Sequence, residues 1–255
     1  NTEYTFPIND LGIFDSFEAV FEDSSYGYRP ERNQHTCLDA LGRTIQQKRV
    51  NYVVEADIKG FFDEVNHEWM VKFLQHRIGD PRIIRLIRRM LKGGILEDGL
   101  VSATEAGTSQ GSILSPLLSN IYLHYALDLW FSHKVQKQYR GEAYYFRFAD
   151  DFLACLQHRS EAKAFLQQLA ERLHGFGLKL AAEKTRCIEF GRFARENAYK
   201  RAEKPKEFTF LGFTHYCGKT KKGHFKVKRR TNRKKLGQSL RNLADWAQKA
   251  RNVLT

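Results

Sequence analysis

Cysteine is scarce in this chain of 255 residues: Cys37, Cys155, Cys187 and Cys217 lie far apart and form no C-x-x-C pair. That pattern supports neither a disulfide framework nor a structural zinc site, and reduced thiols are expected. Long hydrophobic runs are missing as well. The apolar stretches fall short of the roughly 20 residues that span a bilayer, and the run from Ile113 to Tyr122 is broken by Ser, Pro and Asn. With no secretory signal visible, a soluble protein of the cytoplasm with no membrane partner is expected. Internal repeats and low-complexity linkers are lacking too. The length suits one large domain, or a core with a smaller appendage.

The C-terminal end lacks acids. Residues 216 to 255 carry thirteen Lys or Arg against one acid, Asp245, so nearly all of the net charge of +13 is concentrated there. A basic, acid-poor segment suits a polyanion, because each phosphate it neutralises releases a counterion. Phe225, Val227, Leu236, Leu240, Leu243, Trp246 and Ala247 interleave with these charges, and positions 236, 240, 243 and 247 have helical spacing. A strand or hairpin followed by an amphipathic basic helix is expected. Its Lys226, Lys228, Arg229, Arg230, Arg233, Lys234 and Lys235 are the candidate nucleic-acid contacts.

Acids do occur where an apolar setting disfavours them. Asp150 and Asp151 follow Tyr145-Phe146-Arg147-Phe148-Ala149 and precede Phe152-Leu153-Ala154, and Asp57 ends the run Tyr52-Val53-Val54-Glu55-Ala56. Two strand-like segments thus deliver carboxylates into hydrophobic surroundings. Unpaired carboxylates there would repel and lose hydration, and Mg²⁺, which prefers oxygen ligands, is the natural counter-charge. The pattern points to metal-assisted phosphoryl or nucleotidyl transfer.

Helical patterns are read at 35–49, 67–78, 81–92, 115–135, 160–175 and 232–250, with Pro81 and Pro116 near helix starts. Strand patterns are read at 51–57, 144–148, 151–156, 178–181, 185–190 and 207–213. The irregular alternation predicts an α+β fold, a mostly antiparallel sheet backed by helices, with Asp150 and Asp151 at a hairpin turn and Asp57 on a neighbouring strand. Between the acid sites, Thr108 to Leu123 joins a small-residue turn to a long helix. Gly107 and Gly111 permit close approach of a ligand, and Gln110 offers both a donor and an acceptor beside that bend.

In order along the chain, six motifs resemble those of bacterial group II intron reverse transcriptases. They are Tyr26-Gly27-Tyr28-Arg29-Pro30; Asp57-Ile58-Lys59-Gly60-Phe61-Phe62-Asp63 with Asn66-His67; Ser109-Gln110-Gly111 through Leu123; Phe148-Ala149-Asp150-Asp151; Gly177-Leu178-Lys179-Leu180 with Glu183-Lys184-Thr185; and Phe208-Thr209-Phe210-Leu211-Gly212-Phe213. The resemblance covers about residues 18 to 235. It implies a right-hand polymerase fold: residues 1–50 as partial fingers, 51–215 as the palm, and 216–255 as the basic start of a thumb.

The resemblance also implies the site. Asp57 and Asp150, with the carbonyl of Ile58, would bind two Mg²⁺ ions (Mn²⁺ could substitute), and Asp151 would complete the acidic cluster. Phe62, with Phe61 as the neighbouring candidate, would stand against the sugar 2′ position. Gln110 and Gly111 would line the nucleotide and template side, Lys184 the triphosphate or leaving group, and Arg29, in the fingers, would contact the nucleotide or form an internal ion pair. The implied partners are an RNA template, a DNA primer, deoxynucleoside triphosphates and structured intron RNA.

The chain departs from the pattern in two respects. Residues 1–25 contain no Lys or Arg, where relatives usually carry a basic fingers motif, and no maturase or endonuclease region is recognisable after the first thumb helix. A short relative, or a chain lacking segments of a longer protein, is therefore expected. The leading expectation is an RNA-directed DNA polymerase. The alternatives are a non-polymerising RNA-binding splicing cofactor and a domesticated reverse transcriptase of defence.

Overall fold

The structure, a computed structural model, describes residues 12–92, 95–97, 100–102 and 115–253. Helix α1 (Ile13–Glu18) leads to α2 (Gln34–Gln47), which starts where the Asn33 side chain accepts from the Thr36 N–H and the Thr36 hydroxyl accepts from the Asn33 N–H, each at 3.0 Å. Strand β1 (Tyr52–Ala56) is followed by the short α3 (Phe61–Glu64) and by α4 (His67–Gln75), capped by Asn66. Helix α5 (Pro81–Lys92) takes proline at its first position, where no N–H is needed. A hairpin of β2 (Ile95–Glu97) and β3 (Leu100–Ser102) precedes α6 (Ser115–Leu123). That helix continues through two wider, π-helical stretches, His124–Asp128 and Phe131–Val135, into α7 (Gln136–Gln138).

The hairpin β4 (Ala143–Phe148) and β5 (Asp151–Leu156) comes next, then α8 (Arg159–His174), β6 (Arg186–Glu189) and α9 (Ala194–Lys200). The described chain closes with β7 (Phe208–Phe210), β8 (Phe213–Lys219), β9 (Phe225–Thr231) and α10 (Arg233–Val253).

Four strands form the central sheet in the order β4-β5-β1-β6, every pairing antiparallel. Side chains alternate across it, and both faces are covered. Val54, Ala56, Phe152, Ala154, Leu156 and Tyr145 enter one hydrophobic core with residues of α4, α6 and α8. Val53, Leu153, Cys155, Phe146 and Ile188 enter a second core with α2 and the three-stranded sheet β7-β8-β9. Burial on both faces explains why β1 and β5 read as near-continuous apolar runs. The architecture is the expected α+β arrangement of an antiparallel sheet backed by helices.

Three expected elements differ. Residues 178–181 make one antiparallel bridge, Ile58 to Leu180, and no strand, because the N–H groups of Lys184 and Thr185 fold back onto the Ala181 carbonyl and end the pairing. The run 207–213 is split by a tight turn at Leu211 and Gly212, both at positive φ (48° and 80°), from which β8 leaves antiparallel to β7. The helix expected over 67–78 ends at Gln75. Residue 216 lies inside β8, whose sheet packs on the second core. The basic helix begins at Arg233 and leaves Leu236, Leu240, Leu243 and Trp246 exposed. Among the described residues no helix is long and apolar enough to cross a membrane.

Candidate functional site

The three acids meet at one end of the central sheet. In the β1–β5 register Ala56 lies opposite Phe152, so Asp57 and Asp151 are the next positions outward on neighbouring strands. The turn expected at Asp150 and Asp151 lies one residue earlier: Phe148 pairs with Asp151 across β4 and β5, which puts Asp151 in the strand and leaves Ala149 and Asp150 as the two-residue turn. Ala149 sits in the left-handed region at φ 57°. Burial raises the pKa of Asp150 above the ordinary carboxylate range, and the charge of Asp57 adds to it; Arg147 and Lys184 pull the other way. Asp151 opens to solvent at its tip, yet it too is raised, first by the protein packed around it and then by Asp150 and Asp57. The cluster therefore carries more negative charge than its neighbours neutralise.

Lys184 forms an ion pair with Asp57, and that contact holds the lysine pKa above its usual value. The bend that ends the expected strand at 178–181 is what swings Lys184 there. The bridge beside it uses the Asp57 carbonyl, which accepts from Ala181, and the Lys59 N–H, which donates to Lys179. The Ile58 carbonyl therefore faces the opposite edge, toward β5 and the acids. Carboxylates and a backbone carbonyl are a hard oxygen set, with the charge imbalance that suits a divalent cation. As the side chains stand, no three His, Cys, Asp or Glu among the described residues are close enough to close around one ion. One competitor is visible: the Lys184 ammonium occupies the Asp57 carboxylate that an ion would take.

Phe61 and Phe62 differ sharply in setting. Phe61 is 2% exposed and packs edge-on against Tyr122 in the first core; Phe62 is half-buried, its ring 5.4 Å from that of Phe61. Of the two, Phe62 has a free face. Gln110 and Gly111 lie outside the described residues. Arg29, open between a nucleotide contact and an internal ion pair, is turned inward and takes the second role. Its Nε and one Nη bind Glu18, the other Nη donates to the carbonyls of Glu22 and Ser25, and a further bond goes to Phe21. All five of its donors are thereby used, so no N–H remains for a ligand.

The basic residues divide the same way. Arg229 pairs with Asp39 at 2.7 Å and Arg230 with Glu207 at 2.5 Å, so these two brace the β7–β9 sheet against its surroundings. Lys226, Lys228, Arg233 and Lys234 are exposed, and Lys235, at the start of α10, draws down the pKa of Asp151 by its charge.

A set of residues that the sequence reading passed over holds the Ala149–Asp150 turn. Arg147 is fully buried on the helix side of β4 and pairs with the fully buried Asp128 through Nε (2.8 Å) and Nη2 (2.5 Å). Its Nη1 donates to Asn120 Oδ1 (2.8 Å) and to the Ala149 carbonyl (3.0 Å). Asn120 Nδ2 in turn donates to the Gly27 carbonyl at 2.7 Å. Burial opposes the charge on Arg147, but Asp128 outweighs it and keeps the guanidinium protonated. Segment 24–26 runs along the outer edge of β4, with Arg147 N–H to the Ser24 carbonyl and Tyr26 N–H to the Arg147 carbonyl, both 2.8 Å. Gly27 then lies so close that a Cβ would sit 2.3 Å from the Ala149 nitrogen, which only glycine avoids. The sequence signal was present: an arginine at an inward-facing strand position needs a buried acid.

The reverse transcriptase (RNA-dependent DNA polymerase) family profile matches residues 8–215. The chain is 33% identical over 188 residues to the group II intron-encoded protein LtrA of Lactococcus lactis, covering 70% of this chain and 31% of that protein. It is 30% identical over 200 residues to protein YkfC of Escherichia coli, covering 67% and 52%. It thus spans between about a third and a half of the length of these relatives. Among solved structures, apo telomerase from Candida tropicalis superposes with a TM-score of 0.60 over 81% of this chain and 38% of that one, at 13% identity. That last likeness is one of fold.

Proposed function

This chain belongs to the reverse transcriptase (RNA-dependent DNA polymerase) family, and we propose that it extends a DNA primer with deoxynucleotides on an RNA template, in association with a group II intron RNA. On this reading residues 51–215 are the palm, 1–50 part of the fingers, and the segment from 216 the start of the thumb. The observation that carries the proposal is the gathering of Asp57, Asp150 and Asp151 from two neighbouring strand ends into one under-neutralised cluster.

Asp57, Asp150 and the Ile58 carbonyl are the groups that would hold divalent metal, with Asp151 completing the negative site. Bound there, two Mg²⁺ ions, or Mn²⁺, supply activation of a primer 3′-hydroxyl and neutralisation of charge on the leaving pyrophosphate. The chain's own residues do the rest. The turn fixed by Arg147 sets the position of Asp150. The half-buried Phe62 offers its free face to the sugar, where a 2′-hydroxyl would meet the ring. Lys184, exposed beside Asp57, is the cation that would face the triphosphate. Lys235 and its neighbours on α10 carry positive charge toward the nucleic-acid backbone.

The test is primer extension on a ribonucleotide template by Asp57→Asn and Asp150→Asn variants. Each keeps side-chain volume and removes an anionic ligand, so incorporation should fall by at least about 100-fold while RNA affinity stays near that of the parent. Extension by a folded variant at the parent rate would defeat the assignment. RNA binding without extension by the parent protein would favour a splicing cofactor instead.

A further inference from the structure

At the far end of β1 from Asp57, about 17 Å away along the strand, lies a cavity of about 630 Å³ between α8, β6 and α9. Arg159, Lys163, Lys204 and Lys206 line it, and none has a hydrogen-bond or ion-pair partner among the described residues. Two acids are present, Glu189 and Glu203, and Arg201 binds both, at 2.7 and 3.2 Å. The remaining charge is positive. The fit is not diffuse: Arg159, Lys163 and Lys206 all pull down the pKa of the Cys187 thiol in the wall, against the burial that raises it. Helix α8 begins at this cavity with no side chain capping its first amides, which adds its positive end to the same field.

The cavity is one stretch of a longer track. It shares Tyr52, Arg159 and Asn197 with a neighbouring hollow of about 340 Å³ whose wall includes Phe193, a ring 54% exposed. It shares Lys204 and Lys206 with a third, of about 880 Å³, that reaches Lys219 and Lys228 on the β8–β9 hairpin. Unpaired cations in file, with an exposed aromatic face at one end, match a phosphodiester backbone with a base free to stack. The regular alternation of phosphates and bases answers both the cations and the ring, and the nucleic acid is taken over an acidic protein on that ground.

We infer that this track, running from Phe193 past Arg159 and Lys204 to Lys228, is a second nucleic-acid site that holds single-stranded RNA outside the primer–template duplex. It lies at the opposite end of the palm strands from the acids, so its occupant is not the primer terminus. The choice of RNA over DNA rests on the proposed function; the track itself does not.

The experiment measures binding of the full chain to an unstructured oligouridine as a function of salt. Replacing Arg159, Lys163, Lys204 and Lys206 by Gln should flatten the log-affinity against log-salt plot by about 2 to 3, at about 0.7 per lost single-strand phosphate contact. Phe193→Ala should weaken binding by about 5- to 100-fold without changing the slope. Replacing the exposed Lys134 and Lys137 by Gln should leave both unchanged. All four lining side chains are exposed, so circular dichroism should show the parent fold. Extension of a short annealed duplex, with no RNA beyond the copied stretch, should proceed at the parent rate in the four-fold variant. An unchanged slope would overturn the site, as would an equal loss from Lys134 and Lys137. Competition by polyglutamate as strong as that by RNA would overturn the ligand. Loss of extension on the short duplex together with loss of binding would show that the track and the acid cleft are one site. If the parent never extends a primer yet the slope still flattens, the track stands and the polymerase reading alone fails.

Discussion

Asp150 hangs from a turn whose backbone is gripped by a buried, hydrogen-bonded arginine, whereas Asp57, on the neighbouring strand, stands beside a lysine open to water. On the first side Arg147 spends its donors on Asp128, Asn120 and the Ala149 carbonyl, and Gly27 closes over the same peptide. On the second side the Lys184 partner is exchangeable, because an exposed ion pair is worth little in water. The difference separates a held side from an exchangeable one: the Asp150 turn is fixed by buried bonds, and Asp57 is paired with a cation at the surface.

The largest effect should come from breaking the fixed side. Asp128→Asn leaves a buried guanidinium without its counter-charge and should cost about 3–5 kcal/mol of unfolding free energy in denaturant titration. Replacing both partners by apolar residues, Arg147→Met with Asp128→Leu, should recover most of that loss. Primer extension should not recover, since the bond to the Ala149 carbonyl is gone. A double variant restored in both stability and rate would reduce the pair to packing and erase the contrast.

The two sides were not equally legible in the sequence. Acids at the ends of apolar runs stand out because nothing in a strand pattern explains them, and the order of motifs around them was enough to name the family and the α+β fold. Strand ends at Asp57 and Asp151 followed from the same runs. Arg29 was visible with two roles open, ligand contact or internal ion pair, and only the folded loop, which aims its five donors at one carboxylate and several carbonyls, decides for the second. Arg147 and Asp128 are separated by 19 residues, across the helix-to-strand connection, and Asp128 sits at the end of a π-helical stretch whose wider winding an α-helical spacing rule does not follow. The four cations around the far cavity come from two segments, Arg159 and Lys163 one turn apart on α8 and Lys204 and Lys206 in the connection before β7, and nothing in the linear order shows that these two pairs meet.

A milder test sets the adjacent rings against each other. Phe61→Val removes part of a fully buried side chain and should cost about 2 kcal/mol or more, whereas the same change at the half-buried Phe62 should cost about 1 kcal/mol or less. The functional effect should run opposite. Phe62→Val should raise incorporation of ribonucleotides relative to deoxynucleotides, because it removes a steric penalty rather than an attraction to the correct sugar. A raised ratio at Phe61 with none at Phe62 would mean that the ring facing the sugar is the one packed on Tyr122.

The smallest effect concerns Asp150 itself in the absence of metal. Its folded pKa lies above the unfolded value, so the fold prefers the protonated acid, and the stabilisation from that proton is complete below the unfolded pKa of about 4 and is lost as pH rises through the folded value. Asn mimics the protonated acid at every pH. In chelator, Asp150→Asn should therefore unfold at a slightly higher temperature than the parent at pH 7, and the difference should shrink toward zero near pH 3. Adding Mg²⁺ at pH 7 should raise the parent's midpoint and leave the variant's nearly unmoved, since binding to the folded state alone stabilises it by mass action. Asp151→Asn should follow with a smaller gain, its side chain being more open to water. If Asp150→Asn were instead less stable than the parent in chelator at pH 7, the carboxylate would be held by bonds to its charged form. The cluster would then be already satisfied by its own protein, and the reason to place a cation beside it would be gone.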